Sequence, residues 1–430
     1  MDSVQTRGAA AAPSSIHVPS LLQGVLCALA LLFLWGGALI TLFMGLMSAV
    51  LPESMMGDPL SMFLMTSMLF GSGLLLLPSI YYGLSRAFGR PAVDLLTWLR
   101  RTHLSLWIFA FLVFFLIGYV AYQQQVLSWI VLPPLSLLVV GIPVGLMLFL
   151  AVRGLPLGSS QRMWGVFNAG LILGPALITV FEALAAIIFM LLAAFYIASQ
   201  PELLDKIMSL AATMQETPPS PEALLQEFGS YLIRPAVMFA VLVFGAVVVP
   251  IIEELIKPIG VWLLARRRLR PAAGFAAGAL SGAGYALFES LALTSGGQEW
   301  PALMVARIGT AAVHILTTAI TGWALVQAWR NRRYLLLGLT YLTSVAIHGM
   351  WNGLTIYSAF AVLAEMQDLP AEMPVSTNLA MVAPAGLLLI GLACLGALIL
   401  INRRLASTLG PVAVQPELSS PPETEPESVL

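Results

Sequence analysis

Glu253-Glu254-Leu255-Ile256-Lys257 stands inside a run that is otherwise apolar from Val237 to Leu264. Read as a helix, this run is long enough to cross a bilayer, which puts two adjacent carboxylates at a depth where ionised groups cost several kcal/mol. Ordinary helix packing gives no reason for them. Ionisable groups at membrane depth mark a functional site by default, so the stretch sets the fold class and locates the chemistry together.

Working outward, hydrophobic residues make up 59% of the 430 and charged residues 10%, against roughly 25% charged in soluble domains. The mean hydropathy is +0.92. The chain is therefore an all-α polytopic membrane protein, and its net charge of −1 says little about partners. No nucleotide-binding loop, internal repeat or long basic tract points to nucleic acid. Cys27 and Cys394 lie in different apolar runs, which argues against a disulfide framework. The first apolar run is too long for the core of a cleaved signal peptide and lacks a small-residue cleavage site, so it reads as a retained span.

Ten spans are expected, at 21–50, 62–85, 104–122, 127–151, 164–198, 235–265, 271–294, 301–329, 334–362 and 377–402. The loops test this count. Sixteen of the 20 basic residues fall on one side: Arg7, the Arg86 to Arg101 loop, Arg153 and Arg162, the Arg266 to Arg270 cluster, Arg330 to Arg333, and Arg403 and Arg404. The opposite loops carry only Lys206 and Arg234 and are otherwise acidic. By the positive-inside rule both termini are cytoplasmic, and a bacterial plasma membrane is the expected setting.

The chain divides into a polar N-terminus (1–20), a five-span region (21–198), an extracytoplasmic loop (199–234), a four-span core (235–362), a last span (377–402) and a Pro/Glu-rich cytoplasmic tail (405–430) with a disordered composition. The loop holds two short apolar-patterned segments that suit interfacial amphipathic helices. The first five spans carry one buried charge, Glu182, whereas spans six to nine carry Glu253, Glu254, Lys257, Glu289, Arg307, His314 and His348.

Glu253 and Glu254 lie four and three residues before Lys257, spacings that let the ammonium neutralise a carboxylate on the same helix face. Pro258 removes the hydrogen bond to the Glu254 carbonyl, so a kink belongs beside the acidic pair. The seventh span opens with Gly274, Gly278 and Gly282 at four-residue spacing, a ridge for close helix approach, and Glu289 projects from about the same face. Arg307, Thr310, His314, Thr317, Thr318 and Thr321 form one stripe, and Tyr341, Ser344, His348, Asn352 and Thr355 another. At ~1.5 Å per residue, Glu253, His314 and His348 each fall roughly 18 to 27 Å from an end of their helices, in the middle layer, while Glu289 falls nearer the outer face. Arg307 is expected to be interfacial, snorkelling toward the outer loop, or ion-paired, and Glu182 has no identifiable partner.

Two carboxylates and two imidazoles at one depth suit water activation, with a glutamate as general base, the histidines moving protons and Asn352 donating to an oxyanion. The same groups suit a single zinc ion held by Glu254, His314 and His348 with Glu253 as base. The residues leave both readings open.

From about Pro250 to Asn352 the chain resembles the PrsW family of intramembrane proteases, itself similar to the CAAX-processing and bacteriocin-immunity membrane proteases. The resemblance rests on Glu253-Glu254-x-x-Lys257, Phe288-Glu289 after the glycine ridge, His314 with its threonines, and His348-Gly349-Met350-Trp351-Asn352. Ser290 stands where an asparagine is expected, and the five preceding spans exceed the compact family core. The resemblance implies proteolysis of a membrane-anchored protein within the bilayer, with the glutamate pair and His348 essential; family members include metallo- and glutamic-type enzymes. Two other classes use the same residues: a proton- or ion-coupled transporter, and a membrane scaffold in which the cluster only stabilises. Substrate, scissile bond and oligomeric state are not encoded in these patterns.

Overall fold

The computed structural model describes residues 16–51, 58–94, 102–213, 228–293, 299–366 and 377–409. Every regular element among them is helical. In order they are α1 (Val18–Ser48), α2 (Pro59–Leu74), α3 (Leu77–Ala87), α4 (Leu104–Ala121), α5 (Gln125–Val152), α6 (Ser160–Asn168), α7 (Gly174–Ala198), α8 (Pro201–Thr213), α9 (Pro235–Val243), α10 (Val249–Ile256), α11 (Ile259–Trp262), α12 (Pro271–Ala292), α13 (Trp300–Asn331), α14 (Tyr334–Met366) and α15 (Thr377–Ser407). π-helical segments at Ala169–Leu173 and Phe244–Val248 join α6 to α7 and α9 to α10.

Nine helices among the described residues are long and apolar enough to cross a membrane. The tenth expected span is α12, rich in glycine and alanine and buried along nearly its whole length. Breaks inside spans fall at prolines: α2 gives way to α3 just before Pro78, and α10 ends at Ile256 before Pro258. Of the two segments expected in the 199–234 loop, the first is α8, and of the second only the end, helical at 228–232, falls within the described residues; 1–15 and 410–430 lie outside them. The start expected for the tail, at 405, is still helix, because α15 continues to Ser407.

Several contacts gather the basic loops at one end. His17 N donates to Ala87 O, Arg86 to Ser159 Oγ (3.1 Å) and Gln161 Oε1 (3.2 Å), Asn402 to Ala151 O (2.7 Å) and Arg153 O (3.1 Å), and Arg330 to Leu269 O (3.1 Å). The alternation in sequence is thus matched in space.

Small residues set the centre. A methyl added at Gly278 would overlap the Thr318 carbonyl, one at Gly274 would meet the Gly322 carbonyl, and one at Gly282 would meet the His314 carbonyl, so α12 and α13 touch backbone to backbone. On the other side of α12, Gly170 and Gly284 allow the same closeness to the segment from Phe167 to Leu171. Wedged between these neighbours, α12 fixes where α10, α13 and α14 can place their polar side chains.

Candidate active site

Glu253, Glu254, Lys257, His314 and His348 come from three helices and converge, each no more than 6% exposed. The Lys257 ammonium sits at the point of convergence. Its Nζ lies 2.6 Å from Glu253 Oε2, 3.0 Å from Glu254 Oε1, 2.7 Å from His314 Nδ1 and 3.3 Å from His348 Nδ1. It also lies 4.5 Å from the centre of the Tyr285 ring, a cation–π contact. A buried ammonium is tolerable only with such compensation.

These contacts fix the imidazole tautomers. An ammonium only donates, so Nδ1 of His314 accepts, and its ring proton sits on Nε2, 2.5 Å from Glu289 Oε2. His348 Nδ1 lies between an acceptor, Glu254 Oε1 at 3.0 Å, and a donor, Lys257 Nζ at 3.3 Å; the nearer contact puts the proton on Nδ1 and leaves the lone pair on Nε2, and the Lys257 approach is then not a hydrogen bond. That lone pair lies 3.9 Å from Glu253 Oε2. Each histidine thus has its own glutamate beside it.

The backbone break at Pro258 is present and stapled. Ser281 Oγ donates to Lys257 O (2.6 Å) and accepts from Gly260 N (3.3 Å). Upstream, Pro250 cannot donate to Gly245 O, the acceptor five residues back in the π register, and Asn352 Nδ2 donates there instead (3.0 Å). Asn352 therefore spends its amide on the segment that carries the glutamates and does not point it at the cluster. Tyr341 does similar work, its hydroxyl donating to Ile251 O (2.7 Å).

Two placements extend the sequence reading. Glu289 stands against His314, and Arg307 is ion-paired with it, Nη1 to Oε1 3.6 Å. Glu182 on α7 comes close to Glu253, like charge beside like charge, and its Oε1 makes no hydrogen bond. Tyr285, which no sequence argument singled out, packs edge-on against His314 (5.3 Å between ring centres) and brings its hydroxyl into reach of Glu253. Its place one turn before Glu289 on the same helix was the available signal.

Glu253, His314 and His348 each offer one atom, all within 4.8 Å of one another, a group that could hold a metal ion. Two imidazoles and one carboxylate match the donor set of catalytic zinc sites, and Glu289 behind His314 has the form of the outer support such ligands need. The residues therefore fit. The acidic member is Glu253, however, and not Glu254, which is engaged with Lys257 and His348.

Residues 208–383 match the family model for PrsW family intramembrane metalloprotease. This segment is a PrsW-type protease domain. It holds α9 to α14 and every converging residue except Glu182, so the chain is an integral membrane hydrolase acting on protein, with a core of the kind the motifs implied. No curated protein and no solved structure matches the chain.

Proposed function

We propose that the chain is an intramembrane endopeptidase that hydrolyses a peptide bond of a membrane-anchored protein. The observation carrying this is the pair of acceptors that face each other at the buried cluster, Glu253 Oε2 and His348 Nε2, 3.9 Å apart. A water between them is within reach of both. Glu253 takes its proton as it attacks the scissile carbonyl and hands it, by way of His348 Nε2, to the leaving amine as the C–N bond breaks, while Glu254 holds the ring through Nδ1. Lys257 and the Nε2 proton of His314 supply the positive potential that a developing oxyanion needs. Asn352 has a positioning part, because it holds the Gly245 carbonyl and with it the phase of α10.

Glu253, His314 and His348 would hold a zinc ion, which would supply Lewis acidity toward the scissile carbonyl. The Lys257 ammonium would have to swing away first, since it occupies the same point. The clustering of basic loops at one end supports a cytoplasmic N-terminus and C-terminus in a bacterial plasma membrane, with cleavage of anchored substrates in regulated proteolysis as the setting.

The test is cleavage of single-span substrates by the purified full chain in liposomes, with and without chelator. Glu254→Gln and His348→Ala should abolish cleavage while the protein still inserts. Full activity in both variants would refute the reading, and pH-dependent solute uptake without cleavage would favour a transporter.

A further inference from the structure

A second polar region lies at the basic end, away from the glutamates. A cavity of about 670 Å³ opens between α1, α3, α6, the π segment after it and the turn following α11, within the ~300–1,000 Å³ of small-molecule sites. Three arginines from three different segments reach it: Arg86, Arg162 and Arg267. They are close enough to repel one another, and among the described residues none forms an ion pair. Arg86 is held toward Ser159 and Gln161, and Arg162 toward Leu157 O (3.4 Å), neutral groups that orient a guanidinium without cancelling its charge.

Deeper in the same cavity stands Asn168, 4% exposed, with neither amide atom hydrogen-bonded. A buried amide without partners is rare unless something else supplies them. The remaining wall is apolar, and it is open sideways: Leu22, Leu26 and Leu263 are 56%, 55% and 63% exposed in positions that face bilayer chains. His17 is half-buried here and hydrogen-bonded through Nδ1 to Ser20 Oγ (2.8 Å).

We infer that this cavity binds an anionic phospholipid, its phosphate held by Arg86, Arg162 and Arg267, its glycerol-ester region by Asn168, and an acyl chain along Leu22, Leu26 and Leu263. Uncancelled guanidinium charge selects phosphate, and forked Arg donors suit its oxygens. The laterally open apolar wall selects a lipid over a free ion. Basic pockets between transmembrane helices at the loop-rich basic end fit the negative leaflet that such loops face. Neither the charge nor the wall depends on how the glutamate cluster works.

The experiment is native mass spectrometry of the purified full chain titrated with phosphatidylglycerol, phosphatidylcholine or inorganic phosphate. Wild type should retain phosphatidylglycerol over phosphatidylcholine by roughly tenfold or more, since each basic residue near such headgroups adds to the preference. The triple variant R86Q/R162Q/R267Q should lose that preference. Ala176→Trp, which puts an indole into the apolar part of the cavity from a position already exposed, should lower retention of both lipids and keeps the idea testable should the triple variant not fold. Equal retention of the two lipids by wild type, or unchanged retention in A176W, would overturn the inference. Inorganic phosphate that displaces the lipid completely would identify a soluble anion as the ligand and overturn it too.

Discussion

The helices before residue 153 and those after residue 235 are both long and apolar, yet they are held together differently. In the first group, apart from Gly83 against Gly24, glycines receive side chains, as Gly45 does Phe63 and Gly71 does Leu137; polar ties are sparse, and α1 and α4 turn most of their surface outward. The Thr41–Thr66 hydroxyl pair (2.9 Å) and the Trp35 bond to Phe70 O (3.3 Å) are representative. In the second group, glycines bring backbones into contact and charged groups fill the space between. The difference follows from the solvent. Lipid competes with leucine as a partner, so a bundle that must hold charges in register needs close backbones and polar contacts.

The comparison can be broken at several points. Lys257→Met leaves two buried carboxylates without their shared cation, and a loss of about 3–5 kcal/mol is expected in detergent unfolding; the same variant should bind zinc more tightly, since the competing ammonium is gone. Stability unchanged from wild type would mean the cluster is not charge-balanced through this residue. Gly278→Ala should cost about 1–3 kcal/mol by pushing α12 from α13, whereas Gly141→Ala on α5, where a methyl meets nothing within 4 Å, should be neutral or gain up to ~1 kcal/mol. Equal effects at the two glycines would erase the distinction. Asn352→Ala should cost about 1–3 kcal/mol by orphaning the Gly245 carbonyl, with Asn352→Ser recovering part of the cleavage rate. The smallest stability effect is expected for Glu182→Gln, whose amide keeps the shape: unfolding unchanged, kcat down several-fold and KM unaltered. An unaltered kcat there would show that the first five spans lend nothing to the reaction.

Much of this was readable in advance. Apolar run lengths and the placement of arginines gave the span count, and the stripes through His314 and His348 named side chains that do meet. Pro258 gave the break. What was not readable has specific causes. Each π segment inserts extra residues into a turn, so a face counted at 3.6 residues per turn drifts across the fifth and sixth spans. Contacts between spans, such as Glu182 with Glu253, leave no periodic trace in either helix. The choice of Glu253 over Glu254 beside the histidines depends on which carboxylate Lys257 leaves with an oxygen toward His348 Nε2, a matter of side-chain torsions that spacing does not encode.

The glycine-rich character of α12 also bears on how the protein is made. This helix is not among those apolar enough to qualify as a span by themselves, so a nascent chain has little reason to release it into lipid alone. Its entry should depend on α13 arriving as its hairpin partner, and the element at the heart of the protease would then be among the last to become committed to the bilayer. A chain truncated after Leu293 should leave α12 accessible to water-soluble reagents, while one extended through Asn331 should not.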